Sequence, residues 1–236
     1  MNRSLNIRNI AHTTAATVYL TALGAFTLVA CAQQQPPAAV VEPQEQQVSQ
    51  QPAQLVSNKD SVTLKNLQAA YNGESNAHAR YLAFAKKAKE EGYMQVASLF
   101  KAAAIAEAIH ASNHAAIIRK MGAKPEATLE TPAVKSTREN LEAAIQGESY
   151  ERTTMYPQFI EQANKEGNKE AVETFEYAEE AEAEHAKLYT QAKDNLEDWK
   201  EAKMVFYVCP ECGYTTTTLQ NCPECGNDKN LFLEVV

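Results

Sequence analysis

Apolar residues Leu64, Leu67, Ala70, Tyr71, Ala77, Tyr81, Leu82 and Phe84 recur mostly at steps of three and four. That is the stripe of an amphipathic helix, predicted over residues 60–91 with Gly92 as its stop. A second stripe through Val96, Leu99, Phe100, Ala103 and Ile117 predicts a helix over 93–121, closed by Gly122 with Lys124 and Pro125 beyond. Residues 123–135 carry Pro125 and Pro132 and little periodicity, so they read as a crossover between two helix pairs. Ser136 with Glu139 matches a capping box and opens a third helix to about residue 166, which Pro157 should bend. Gly167 and Asn168 precede a fourth helix over about 169–199. From Val205 the pattern changes to short β-type runs, 205–208 and 231–233, around two cysteine pairs. The expected fold class is mainly α, a four-helix bundle over 58–202 followed by a small β domain over 203–236.

Before residue 60 the chain is of another kind. Arg3 and Arg8 precede an apolar run from Ala15 to Val29, and Leu28-Val29-Ala30-Cys31 resembles the lipobox of bacterial lipoproteins. The resemblance implies a signal over 1–30, cleavage before Cys31, a lipid on that cysteine, and a location on the periplasmic side of a bacterial membrane. Residues 31–57, mostly Gln, Pro, Ala and Val without an aromatic residue, have too little to bury to offset their ordering entropy and read as a flexible tether. A net charge of −8 argues against nucleic acid as a partner.

The candidate chemistry lies in a duplication. Gly73-Glu74-Ser75 is followed by Glu107-x-x-His110, and Gly147-Glu148-Ser149 by Glu182-x-x-His185, the lone Glu preceding the Glu of its pair by 33 and 34 positions. Residues three apart share a helix face, so each Glu-x-x-His aims a carboxylate and an imidazole at one place. Four helices carrying this set supply the ligands of a two-metal carboxylate site, and oxygen with imidazole suits iron, manganese or zinc over soft copper. Glu151, one turn beyond Glu148, adds a carboxylate whose counterpart in the first copy is Ala77. It makes the two metal positions unequal and offers an exchange with His110. Tyr81 and Tyr156, two turns beyond the lone glutamates, are placed for hydrogen bonds to ligand carboxylates and as candidate proton donors. His78 and His114 are left as surface or supporting residues. Cys209/Cys212 and Cys222/Cys225, each pair with Pro-Glu inside and Gly behind, look like two metal knuckles rather than two disulfides.

The helical stretch over about 60–200 with its four-cysteine tail resembles rubrerythrin, a ferritin-like di-iron bundle with a rubredoxin-like end. The family pattern falls on Glu74, Glu107 with His110, Glu148 with Glu151, and Glu182 with His185. The resemblance implies a non-haem di-iron peroxidase that reduces hydrogen peroxide to water in oxidative stress defence. It implies Glu107 and Glu182 as bridges, Glu74 and Glu148 as terminal ligands, and a third iron on Cys209, Cys212, Cys222 and Cys225 that returns electrons from an unidentified donor. In the family that return crosses between subunits of a head-to-tail homodimer. Only nine residues separate the knuckles here, 213–221, shorter than rubredoxin-like ends have, so the tail ion stands open between iron and a structural zinc clip as in a zinc ribbon. The rival readings are a ferritin-like iron-binding or iron-oxidising protein with a zinc tail, and a zinc-clipped interaction module.

Overall fold

The computed structural model describes residues 61–201 and 203–236. The segments read as signal (1–30) and tether (31–57), and with them Cys31, lie outside the described residues. The bundle consists of α1 (Val62–Glu90), α2 (Met94–Lys120), α3 (Thr137–Tyr150) continued through a π-helical turn (Glu151–Met155) into α4 (Tyr156–Glu166), and α5 (Lys169–Asp194). A three-stranded antiparallel sheet follows, β1 (Phe206–Val208), β2 (Thr215–Thr216) and β3 (Leu233–Val235), in the order β2-β1-β3. Tyr207 stands opposite Thr216 on one side and Glu234 on the other. Among the described residues no helix is long and apolar enough to cross a membrane.

Local chemistry accounts for the boundaries. Ser61 caps α1, and Ser136 and Glu139 form the expected capping box of α3, with both reciprocal bonds present. Pro157 has no N–H to give and its ring crowds the preceding turn. The chain answers by widening that turn: the Tyr156 N–H reaches back five residues to the Glu151 carbonyl, so the expected bend is a π turn.

Two expectations need correction. Leu82, counted in the apolar stripe, is 46% exposed, because Tyr81 takes the inward position beside it. The last helix ends at Asp194, five residues short of Trp199. Turns there present the Trp199 and Lys200 carbonyls to the N–H groups of Gln95 and Met94, which start a helix lacking a side-chain cap. The crossover lies extended along α1, where Gln68, Asn72 and Asn76 accept from the N–H groups of Glu126, Thr128 and Glu130. Four helical residues rise about 6 Å and two extended ones about 6.6 Å, so the two spacings match.

Among the described residues the bundle interior holds two apolar clusters, and a third lies in the tail around Phe232 and the cysteines. Of the bundle pair, one joins Phe84, Leu99, Phe100, Leu141 and Tyr189 to Phe206, Val208 and Val235 of the sheet; the other joins Leu67, Ile118, Tyr156, Ala163 and Phe175. Glu74, Glu107, His110, Glu148, Glu182 and His185 lie along the helices between the two, all buried.

Candidate metal centre

Each helix delivers its donors inward. Donor atoms of Glu74, Glu107, His110 and Glu182 lie within 4.8 Å of one another, and so do those of Glu107, Glu148, Glu182 and His185. Glu107 and Glu182 belong to both sets, which therefore describe two adjoining positions that share two carboxylates. Glu151 stands outside both sets, at the first residue of the π turn, and is coupled electrostatically to Glu74, Glu148 and Glu182.

Burying this many carboxylates costs several kcal/mol per ion unless something compensates. Burial and mutual repulsion push Glu74 and Glu148 well above the ordinary range, and burial with the charges of Glu182 and Glu107 lifts Glu151 to about 8. Burial works against protonation of the imidazoles. Even so, the Glu182 charge raises His110, and bonds to Glu107 and Glu182 raise His185 to about 9. Glu74 Oε2, Glu107 Oε1, Glu148 Oε2 and Glu182 Oε1 are buried and make no hydrogen bond among the described residues, although imidazoles stand within ion-pair reach of Glu107 Oε1 and Glu182 Oε1. One oxygen from each of four carboxylates, turned inward without a donor, fits a pair of dications.

The tyrosines are crossed. Tyr81 donates to Glu148 at 2.5 Å and Tyr156 to Glu74, so each phenol serves the lone glutamate of the other copy. Two turns along a helix places each phenol for a bond to a ligand carboxylate, as expected, but does not say which glutamate it faces.

In the tail, Cys209, Cys212, Cys222 and Cys225 bring their sulfurs within 4.8 Å of one another, with Cys209–Cys225 and Cys212–Cys222 at 3.5 Å. A disulfide needs about 2.05 Å. Four thiolates about 2.3 Å from one tetrahedral ion lie about 3.8 Å apart. The knuckles repeat the same turn: the Gly213 and Gly226 N–H groups bond the Cys209 and Cys222 carbonyls, and both glycines have positive φ.

The tail sits on the bundle site. His110 Nε2 lies 3.1 Å from the Cys212 carbonyl, His185 Nε2 lies 3.1 Å from Thr215 Oγ1, and Asn113 Nδ2 donates to the Glu211 carbonyl at 2.8 Å. Thr215 donates to the Gly213 carbonyl, so it accepts from His185. Both imidazoles thus give their Nε2 hydrogens to the tail and keep Nδ1 turned to the carboxylates, 3.0 Å from Glu107 and 2.7 Å from Glu182.

Residues 65–193 match the rubrerythrin family model. The chain belongs to the rubrerythrin family. It is 42% identical over 173 residues to nigerythrin of Nitratidesulfovibrio vulgaris, covering 72% of this chain and 85% of that one. It is 39% identical over 182 residues to rubrerythrin-2 of Clostridium acetobutylicum, covering 75% and 98%. Among solved structures, fully reduced, all-ferrous nigerythrin superposes with a TM-score of 0.69 at 40% identity over 76% of this chain and 91% of that chain. A bacterioferritin from Desulfovibrio desulfuricans, 23% identical with a TM-score of 0.54 over 59% and 82%, shares the fold. The rubrerythrin-family donor set fits a di-iron site with a four-cysteine centre beside it.

Sequence reading missed four residues around this rubrerythrin-type site. His114, set aside as supporting or surface, is fully buried, and its position one turn from His110 was the available signal. Thr215 and Gly213 act across the tail contact, and no local pattern announces them. Arg80 carries a guanidinium over the Tyr81 ring and counters the Glu151 charge.

Proposed function

We propose that this chain is a peroxidase: hydrogen peroxide, two protons and two electrons give two waters, with electrons reaching a di-iron site through a four-cysteine iron. The observation that carries the reading is the His110 contact with the Cys212 carbonyl, where a knuckle peptide touches an imidazole of the carboxylate cluster. An iron-storing bundle needs no such junction, because storage needs no electron return. Iron held by Glu74, Glu107, His110, Glu148, Glu151, Glu182 and His185 would supply the reducing equivalents and Lewis acidity; the all-ferrous state of nigerythrin supports iron as the metal.

The protein's own groups do the rest. Membership of Glu107 and Glu182 in both donor sets supports their role as bridges, with Glu74 and Glu148 terminal. Glu151, beside the cluster in the π turn, would be the carboxylate available to take the place of His110 as a ligand. Tyr81 and Tyr156 each hold a proton at Oη against a cluster carboxylate, and the apolar clusters above and below exclude bulk water. The source of electrons is an external one-electron carrier. The contact described here lies within one chain, and a head-to-tail homodimer that exchanges tails makes the same contact between copies.

Metal content with a peroxide-dependent spectrum tests this. About three irons per chain, with thiolate bands that bleach with reductant and return with peroxide, are expected. Zinc on the cysteines would remove the relay, and absence of bundle iron would remove the peroxidase. Lipidation at Cys31 on the periplasmic side completes the proposal; Cys31→Ser should move the protein from the membrane fraction to the soluble one.

A further inference from the structure

One buried imidazole has no part in the chemistry so far. His114 lies on α2 one turn beyond His110 and is 0% exposed. Its Nε2 is 3.2 Å from Tyr156 Oη and its Nδ1 is 3.1 Å from Thr174 Oγ1. The direction of these bonds follows from the far end. Tyr156 gives its hydrogen to Glu74 Oε1, so only a lone pair remains for His114. Nε2 must then carry the imidazole hydrogen, Nδ1 is bare, and Thr174 donates to it. Every donor in the row points toward Glu74. Burial holds His114 down to about 3, so it stays neutral and keeps a distinct donor and acceptor.

The outer end reaches a surface cavity of about 150 Å³ lined by Thr174, Asn113, Ile117, Tyr177 and the acidic Glu170 and Glu173, with Glu211 of the tail at its edge. The duplication supplies an internal control. In the 75-residue register that relates His110 to His185 and Tyr81 to Tyr156, His114 corresponds to Tyr189 and Thr174 to Leu99. Tyr189 Oη makes no hydrogen bond among the described residues, and Leu99 is fully buried. Among the described residues, the rings of Phe84, Phe100 and Tyr189 pack against Tyr81 with centroids 5.5 to 6.2 Å away, and the Arg80 guanidinium lies over its face.

We infer that Thr174, His114 and Tyr156 form a directed hydrogen-bond path that carries protons from this cavity to Glu74, on one side of the site only. The inference rests on the peroxidase reading for its purpose, since each peroxide consumes two protons. In one passage the Tyr156 hydrogen goes to Glu74, the His114 Nε2 hydrogen to Tyr156, and the Thr174 hydrogen to His114 Nδ1. Water in the cavity then restores the Thr174 hydroxyl. One proton enters, no electron moves, and His114 is left with its hydrogen on Nδ1.

The test uses the full chain loaded with zinc, so that it does not depend on turnover. Nitrogen-15 NMR should find the His114 hydrogen on Nε2; Thr174→Val should slow its exchange with solvent by about tenfold or more, and Thr174→Ser should restore it. In the iron-loaded protein Thr174→Val should slow peroxide reduction by a similar factor and enlarge the solvent deuterium isotope effect, with iron content and bleaching of the tail unchanged. An Nδ1 hydrogen on His114, or equal exchange in wild type and Thr174→Val, overturns the path. A wild-type protein that binds iron and leaves peroxide intact overturns the peroxidase reading instead, while the exchange measurement still decides the path.

Discussion

Thr215 and Gly213 act on the two imidazoles from the same turn of the tail. Thr215→Val keeps the shape and removes the acceptor for His185 Nε2, leaving a buried N–H unpaired at a cost of about 1–3 kcal/mol. Metal affinity at that position should fall roughly 10–100-fold in a chelator competition, with the four-cysteine ion as internal reference. An unchanged affinity would mean that the tail does not orient the ring. Gly213 has φ +78°, and a Cβ there would stand 2.3 Å from His110 Nε2. Gly213→Ala should leave the thiolate spectrum in place but slow electron transfer from tail to bundle by at least about tenfold, because the knuckle must back away. Stopped-flow absorbance at the thiolate bands measures it, and unaltered transfer would rule out His110 as the junction. Gly226 ends the other knuckle after the same Cys-Pro-Glu-Cys, yet nothing lies within 4 Å of its would-be Cβ. The two glycines read alike in sequence; only the meeting of residue 213 with residue 110 separates them, and no local pattern carries that.

At the scale of elements the duplication was legible almost to the residue, including a mismatch with a physical cause. The lone glutamates are related by a step of 74, whereas the Glu-x-x-His pairs and the tyrosines are related by 75. The extra residue falls between Glu148 and Tyr156, and the π turn at Glu151–Met155 is where the helix accommodates it. Helix starts were also legible when a side chain supplied the cap, as at Ser136. The start of α1 was less so, because half its cap is remote: Glu166, at the end of α4, accepts from Ser61 Oγ, Val62 N–H and Thr63 N–H. Burial is the largest single influence and raises this carboxyl, but the bonds from Ser61, Gln162 and Thr63 together outweigh it and bring it down to about 2. A depressed folded-state value stabilises above the ordinary value near 4.5 and is lost as pH falls toward 2. Glu166→Gln should therefore lower the melting temperature at pH 7, with the gap to wild type closing between about pH 4.5 and 2. The carboxyl is largely exposed, so solvent screening holds the effect under about 1 kcal/mol. A gap that widens on acidification would refute the assignment.

The molecule as a whole joins two modules that were each legible alone, through a contact that was not. The bundle announces itself by its stripes and donors, the tail by its paired cysteines; their docking depends on Phe206, Val208 and Val235 entering the bundle core and on Gln95 holding the chain where it leaves α5, by bonds to Lys203 and Met204. These anchors lie in β1, β3 and the approach to them, not in the knuckles, so losing the tail ion should loosen the knuckles without releasing the sheet. The double variant Cys209→Ser, Cys222→Ser separates the two functions. It should bind iron in the bundle alone and, once chemically reduced, react with one equivalent of peroxide near the wild-type rate. It should then stop, because the proposed path for electron return is gone. Continued turnover with a one-electron donor would show that electrons enter the bundle directly. Failure of the first equivalent to react would show instead that the intact knuckles are needed to hold His110 and His185 in place, since both imidazoles give their Nε2 hydrogens to the tail.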